Sequence, residues 1–453
     1  MKTFTIGGVH PKENKLSSGK KIERSPLPEK VIIPMAQHIG APANPIVAVG
    51  DAVKIGTKIG ESNGFVSASV HSSVSGVVEK IDMMPDFAGF KKQMVVIAND
   101  GKDEWEESID RSSELNTNLN FTAEEIKAKI ANAGIVGMGG ATFPISVKLS
   151  PPKDMVIDNL LINGAECEPY LTADHALMLE KADEICVGIE LLMKALNVTT
   201  AKVGIENNKP DAIAHMTEVA AKYQGIEIVP LKVKYPQGSE KHLIQALTGR
   251  EVPPRQLPAF IGCVVCNVAT TFAVYEAVEK NKPLIERIVT VTGTGMQNPS
   301  NLLVRIGTRI SDVFAAIGGV PEHTDKIIAG GPMMGKAIQN IDAPIMKGSS
   351  GLVCMTEQEA HRKKESNCIR CGRCVDGCPM GLEPYLLYAL SKQSMVNELI
   401  EHNVTDCFEC GSCSFSCPAH KPLLDYIRLG KAKAMQQLKA EMAKKQQSEN
   451  NKN

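Results

Sequence analysis

Cys368-Ile369-Arg370-Cys371-Gly372-Arg373-Cys374-Val375-Asp376-Gly377-Cys378-Pro379 and Cys407-Phe408-Glu409-Cys410-Gly411-Ser412-Cys413-Ser414-Phe415-Ser416-Cys417-Pro418 each read C-x2-C-x2-C-x3-C-P. In two-cluster proteins with this spacing, three thiolates of a run hold one cubane and the fourth crosses to the other cluster. By that rule Cys368, Cys371, Cys374 and Cys417 hold one [4Fe–4S] centre, and Cys407, Cys410, Cys413 and Cys378 hold the second. Structural zinc prefers two separated C-x2-C knuckles giving four thiolates to one ion. Two four-cysteine runs with trailing prolines do not match that pattern. A disulfide framework is disfavoured in a long chain whose start, MKTFTIGGVHPKENK, has no apolar signal segment. The spacing therefore points to one-electron transfer.

Around these runs, 453 residues exceed what a single core usually supports, so several domains are expected. With 50 Lys and Arg against 51 Asp and Glu, the chain carries no basic footprint for nucleic acid. No stretch is long and apolar enough to read as a membrane span. Five of the 13 cysteines lie outside the runs, Cys167, Cys186, Cys263, Cys266 and Cys354, and lone cysteines usually pack as small hydrophobes.

Residues 1–30 are polar, punctuated by Gly and Pro, and read as an extended arm. Residues 31–100 are short apolar strands broken by turns, a small all-β unit. The phrase V-x-V-G-D-x-V-x-x-G followed by V-H-S-S-V-S-G-V-V resembles biotinyl and lipoyl carrier domains, which implies a barrel sandwich. The hairpin tip Glu61-Ser62-Asn63-Gly64 has no lysine to modify, so a structural or docking role is expected. Residues 101–120 read as an acidic linker, with Trp105 as a packing anchor. Thr122 to Glu125 spell a capping box opening a helix that ends at Gly134.

Gly134-Ile135-Val136-Gly137-Met138-Gly139-Gly140-Ala141-Thr142-Phe143-Pro144 follows, then Lys148. Glycines this dense let backbone N–H groups approach a phosphate or a flat ring. By itself the loop is a weak signal, since it follows a helix and not a strand. An apolar strand over 158–163 then runs into Gly164-Ala165-Glu166-Cys167-Glu168-Pro169-Tyr170, with carboxylates where open α/β sheets place ligands. Helices over 174–196 and 210–223 and strands over 201–206 and 226–233 continue a βα alternation through 121–285. Ser239 is the expected N-cap of a helix opening at Glu240, a second candidate anion site. Cys263 and Cys266 form a lone C-x2-C whose apolar neighbours favour a buried strand end over a redox or metal pair. Residues 286–345 read as a compact α+β module with a helix over 311–317. Residues 346–430 carry the runs, separated by an amphipathic helix over 384–402, and 431–453 is a Lys/Gln/Ala-rich helical tail.

These motifs in this order resemble the C subunit of Rnf electron-transport complexes over essentially the whole chain. The central part is similar, more distantly, to the flavin- and NADH-binding subunit of respiratory complex I. The resemblance implies a multidomain α/β protein: a barrel-sandwich β domain, a Rossmann-like flavin domain, a β-grasp (SLBB-like) module and a C-terminal helical ferredoxin domain with two [4Fe–4S] clusters. It implies FMN on Gly137, Gly139, Gly140, Lys148, Asn163, Glu166, Tyr235, Gly238 and Asn267, with Phe143 as a stacking ring and Glu168 and Glu240 near the nicotinamide nucleotide. Ala165 stands where the complex I family carries Asp, Met138 and Val136 where it carries Arg, and Ser239 where it carries Glu. The flavin phosphate and the nucleotide are therefore expected to be held differently here. The implied activity is electron exchange between NAD(H) and ferredoxin coupled to Na+ or H+ movement. The implied setting is the cytoplasmic face of the cell membrane, beside other Rnf-type subunits, including an iron–sulfur subunit that meets ferredoxin. The alternatives are a soluble flavin/iron–sulfur NADH oxidoreductase such as a cobalamin reductase, and an electron wire with no nucleotide chemistry. The β domain ahead of the glycine loop favours the Rnf reading over the cobalamin reductase.

Overall fold

Four strands rich in β-branched residues build the central sheet in the computed structural model, which describes residues 1–152 and 154–450. Their order is Ile226–Leu231, Ala201–Glu206, Asn159–Asn163 and Cys263–Asn267, all parallel. Parallel strands need crossover helices, and Ala182–Leu196, Pro210–Ala220, Glu240–Thr248 and Val268–Glu279 cover the two faces. Both faces are apolar, so the strands read as continuous hydrophobic runs. Cys266 faces one core with Ile162 and Val264, whereas Cys263 faces the other with Leu161 and Leu243. The two cysteines are therefore on opposite sides of the sheet and form no pair. The helix expected over 174–196 is two helices, Ala173–Glu180 and Ala182–Leu196, which break at Lys181.

The β domain is two small sheets. One orders Lys30–Pro34, Lys91–Asn99, Gly76–Pro85 and Ala52–Val53; the other orders Asn44–Pro45, Lys58–Glu61 and Val70–His71. Val31, Ile33, Met35, Ile59, Val70 and Ile97 fill the space between them. The segment read as a linker packs on this domain. Trp105 bridges to Ile55, and its ring lies between Arg111 and Arg305 at 5.1 and 4.8 Å.

A six-stranded sheet follows, and it reaches beyond 286–345 at both ends. Its order is Ile22–Arg24, Ser300–Arg305, Glu286–Gly293, Gly351–Thr356, Thr324–Ala329 and Lys336–Ala337. The arm thus supplies an edge strand, paired in parallel with Ser300–Arg305, and residues 351–356 belong to this sheet and not to the helical domain. The helix expected over 311–317 is Ile310–Ala315. In the C-terminal domain the helix expected over 384–402 splits into Pro384–Gln393 and Val396–Glu401 at Ser394, which is left-handed. A single helix, Leu423–Asn450, buries Leu423, Ile427 and Ala434 against them. Residue 431 therefore lies inside a helix and marks no boundary.

The arm is extended, as read, but it is built into three units. Lys2 bridges to Leu231 and Val9 to Tyr235, Phe4 is 1% exposed, and Gly8 N–H donates to Gly377 O at 3.2 Å. A second junction sits behind the glycine loop. Lys347 is buried, and its Nζ donates to Ser69 O of the β domain and to Gly134 O of the central α/β domain, both at 2.7 Å. Its own N–H donates to Gln37 Oε1 at 3.0 Å. Burial lowers its pKa to about 7. Because the folded value lies below the unfolded one of about 10.4, the unfolded chain binds the extra proton between them. Stability from this group therefore rises with pH from about 7 to 10. Unfolding followed across that range should show the rise in the parent chain and a flatter profile in Lys347→Met.

Candidate functional site

Parallel pairing brings the strand ends Asn163 and Asn267 side by side, since they are register partners. Asn267 ends its strand and starts the next helix: its Oδ1 accepts from Ala269 N–H at 2.8 Å and from Thr270 N–H at 3.4 Å. Its Nδ2 donates to Asp174 Oδ2 at 2.6 Å. The glycine loop lies on this amide. A Cβ on Gly139 would come within 3.0 Å of the Asn267 side chain, so only glycine lets the loop settle there. Gly140 is exposed and would meet nothing within 4 Å, which leaves the outer face of the loop free for a ligand. Gly137 N–H to Phe143 O at 2.9 Å, Met138 N–H to Thr270 Oγ1 at 2.9 Å and Arg287 Nη2 to Met138 O at 2.9 Å fix the turn. Lys148 is not a free charge beside it. Its Nζ donates to Glu240 Oε1 at 2.6 Å and Val265 O at 3.0 Å. Burial opposes its charge, but Glu240 more than offsets this and its pKa is raised.

The carboxylate loop after Asn163 turns three consecutive side chains toward three different elements. Glu166 accepts from Asp174 N–H at 2.8 Å and His175 N–H at 3.2 Å, at the start of the Ala173–Glu180 helix. Cys167 Sγ accepts from Gly238 N–H at 3.3 Å. Glu168 accepts from Met333 N–H and Met334 N–H at 3.0 and 2.9 Å, and Gly331 packs so close that a Cβ there would overlap its carboxylate. Burial raises the Glu168 pKa to about 7, against the pull of those N–H groups. Both carboxylates expected at the ligands are thus spent on holding neighbouring elements. Asn163 likewise braces the site, donating to Gly238 O at 2.8 Å and accepting from Ala165 N–H at 3.1 Å. Ser239 is the N-cap as expected, but its Oγ bonds His242 Nδ1 and no helix N–H.

The cysteine runs fold around each other. Cys378, Cys407, Cys410 and Cys413 line one small pocket with Pro379, Phe408, Leu387 and Leu424. Among the described residues no three His, Cys, Asp or Glu converge as ligands of a single ion would. The four thiols instead surround a volume. Backbone N–H groups of Met380, Gly381 and Leu382 face Cys378, and Glu409 N–H faces Cys407. Burial pushes the Cys407 thiol up to about 11 and Cys413 higher, so metal binding there must expel protons. The other thiols differ in setting: Cys368 and Cys371 are exposed, and Cys374 and Cys417, which sense each other electrostatically, are half-buried.

The buried set abuts the central α/β domain. Tyr235, which precedes a cis proline, donates its hydroxyl to Cys410 O at 2.8 Å, and His242 Nε2 lies 2.9 Å from Pro379 O. Met333, held by Glu168, crowds Gly411 with its carbonyl.

Four family descriptions match in succession: "RnfC Barrel sandwich hybrid domain" over 3–102, "Nuo51 FMN-binding domain" over 130–276, "SLBB domain" over 288–337 and "4Fe-4S dicluster domain" over 360–418. The chain is 48% identical over 430 residues to the C subunit of the proton-translocating ferredoxin:NAD(+) oxidoreductase complex of Clostridium ljungdahlii, covering 94% of this chain and 93% of that one. The chain belongs to the RnfC family. A second RnfC relative, the C subunit of the Na(+)-translocating ferredoxin:NAD(+) oxidoreductase complex of Acetobacterium woodii, is 44% identical over 95% of this chain and 97% of its own. The C subunit of the ion-translocating oxidoreductase complex of Rhodobacter capsulatus is 46% identical over 86% of this chain and 75% of that one. Among solved structures, the air-oxidized NAD+-reducing [NiFe]-hydrogenase aligns with TM-score 0.50 at 17% identity, covering 69% of this chain and 66% of that one, a likeness of fold. No helix among the described residues is long and apolar enough to cross a membrane.

Sequence reading did not single out Asp174 and Arg287, which join the site through contacts distant in the chain; Asn267, named from the resemblance, also carries a local signal as an Asn between an apolar strand and a helix. In this RnfC chain Asn267→Ala should lower stability by about 1–2 kcal/mol through the lost cap. Asn267→Asp should keep the cap but crowd Asp174 with a second carboxylate, so its stability should fall relative to the parent as pH rises above about 6. Denaturant unfolding of the three chains at pH 6 and 8 separates the two effects.

Proposed function

We propose that this chain is a peripheral subunit, on the cytoplasmic side of the membrane, of an ion-translocating ferredoxin:NAD+ oxidoreductase complex. The relatives carry that complex in their names, and their coverage favours this reading over a soluble cobalamin reductase. FMN fits the glycine loop, where Gly140 leaves an open face and Gly139 lets the backbone lie flat on Asn267. In this reading Gly139 and Gly140 approach the cofactor with backbone N–H groups, Gly137 fixes the turn beside them by its N–H on Phe143 O, and Asn163, Glu166, Asn267 and Lys148 hold the shape of the floor. Phe143 and Glu240 stand at its margin, and Tyr235, Gly238 and Glu168 form its seam with the cysteine runs. Bound there, FMN would supply the link between two-electron hydride chemistry and one-electron transfer. The two cysteine sets fit two [4Fe–4S] clusters, one buried against the flavin domain and one exposed.

The observation that carries this reading is the shared seam, above all the Tyr235 hydroxyl on Cys410 O. It sets the buried set beside the flavin domain and leaves Cys368 and Cys371 facing outward, toward an iron–sulfur partner subunit.

Anaerobically purified chain should contain about one FMN and about eight irons, and NADH should bleach its visible spectrum. Eight irons with no flavin and no NADH response would leave the chain a wire. The crossing of thiolates has its own test. Cys378→Ser with Cys407→Ser should keep about half the iron, whereas Cys378→Ser with Cys374→Ser should lose nearly all of it. The reverse pattern would refute the crossing.

A further inference from the structure

The two cysteine runs make the same turn and differ in what it carries. Arg370 and Glu409 occupy equivalent places with left-handed φ of 56° and 66°, and a left-handed glycine follows each two residues on, Gly372 at 75° and Gly411 at 82°. Glu409 is half-buried, and its carboxylate is held by Arg428 at 3.0 Å and Lys431 at 3.1 Å. It is the one charged residue of 407–417, so the second run presents no free charge. The first run is the opposite. Residues 362–376 hold five Lys or Arg and two Asp or Glu, in a chain whose net charge is −1. Arg362 is answered by Asp425, and Glu365 by Lys421 at 2.6 Å. Lys363, Lys364, Arg370 and Arg373 are exposed and form no ion pair among the described residues, and Asp376 is the remaining carboxylate of that span. Ile369, 68% exposed, stands among them between Cys368 and Cys371, which are exposed too. Ser366 N–H on Ala419 O at 3.0 Å ties this segment to the end of the second run, two residues past Cys417.

Exposed cations without partners add little to folding stability, since water solvates them. Clustered in one place they set up a positive field that gathers acidic partners and speeds their approach. An iron–sulfur centre exchanges electrons with a second protein only where that protein can come against it, and the exposed thiols mark that place. We propose that residues 363–373 form the docking face for a one-electron carrier, a small iron–sulfur protein domain with an acidic face. Lys363, Lys364, Arg370 and Arg373 steer the carrier, and Ile369 is its apolar contact. The outer end of the electron path is then selected by charge, the inner end by packing. The inference rests on the two-cluster reading above.

The test uses the full chain with its clusters in place, as parent, as Lys363→Glu with Lys364→Glu, and as Arg370→Gln with Arg373→Gln. The probe is a small acidic two-cluster ferredoxin, whose association and dissociation are followed on the immobilised chain at about 20 and about 200 mM salt. Association with the parent should slow about tenfold or more between the two salts. At low salt the lysine variant should associate about tenfold more slowly than the parent, with dissociation within about twofold, and the gap should close at high salt. The arginine variant, which removes charge without reversing it, should fall between. Iron should stay at about eight per chain in all three. Equal association in parent and variants overturns the inference, and so does a parent that binds no ferredoxin. Binding of the parent to vesicles of anionic phospholipid, lost in the variants while ferredoxin binding is unchanged, also overturns it and makes the patch a membrane contact. Loss of about four irons in both variants overturns it too, since the cations would then serve the cluster and not a carrier. A parent with no more than about four irons sinks the two-cluster reading and this inference together. A full iron complement beside association that ignores charge sinks the inference alone.

Discussion

Parallel pairing of four short strands is the constraint on which the rest of the chain depends. Because every strand of the sheet runs the same way, each must be followed by a crossover, and all the carboxyl ends meet at one edge. That edge collects Asn163, the carboxylate loop, the Tyr235–Gly238 turn and Asn267, which lie far apart in sequence. The glycine loop, the six-stranded sheet and the cysteine runs then pack against that edge. Reversing one strand would move its loop to the opposite edge, away from these partners.

Much of this was legible in the residues. The cysteine spacing fixes which thiols can share a cavity, and Cys378 does lie with Cys407, Cys410 and Cys413. The capping box at Thr122 is formed as read, with Glu125 reaching back to the cap N–H. Such features are local, so a few residues decide them. Helix breaks at Lys181 and Ser394 were hidden because the apolar period continues across them. The edge strand Ile22–Arg24 was hidden for a different reason: three residues carry too little pattern, and their partner lies in another unit. The partners of the carboxylates were hidden in a third way. Glu166 and Glu168 sit at the strand end where ligands bind, yet their oxygens are taken by backbone N–H groups of the protein itself.

The two cysteine sets occupy unlike surroundings despite identical cysteine spacing. One is walled by Phe408, Leu387, Leu424 and Pro379, the other opens to water at Cys368 and Cys371. Solvent exposure and hydrogen bonds to sulfur are among the levers that set a cluster's potential. Two equal motifs are thus made unequal by what packs on them, mainly the flavin domain and the arm.

The arm's pairing has a consequence for how the protein is made. Synthesis delivers residues 1–24 first, yet Leu231, Tyr235, Leu302 and Gly377, the partners of Lys2, Val9, Glu23 and Gly8, arrive only much later. Until then the arm has nothing to bind, and contacts of such long sequence separation form slowly. Its burial is complete only once all of them exist, so a chain truncated before its cysteine runs leaves the arm uncovered around Gly8, a mark by which quality control can tell the unfinished protein from the finished one.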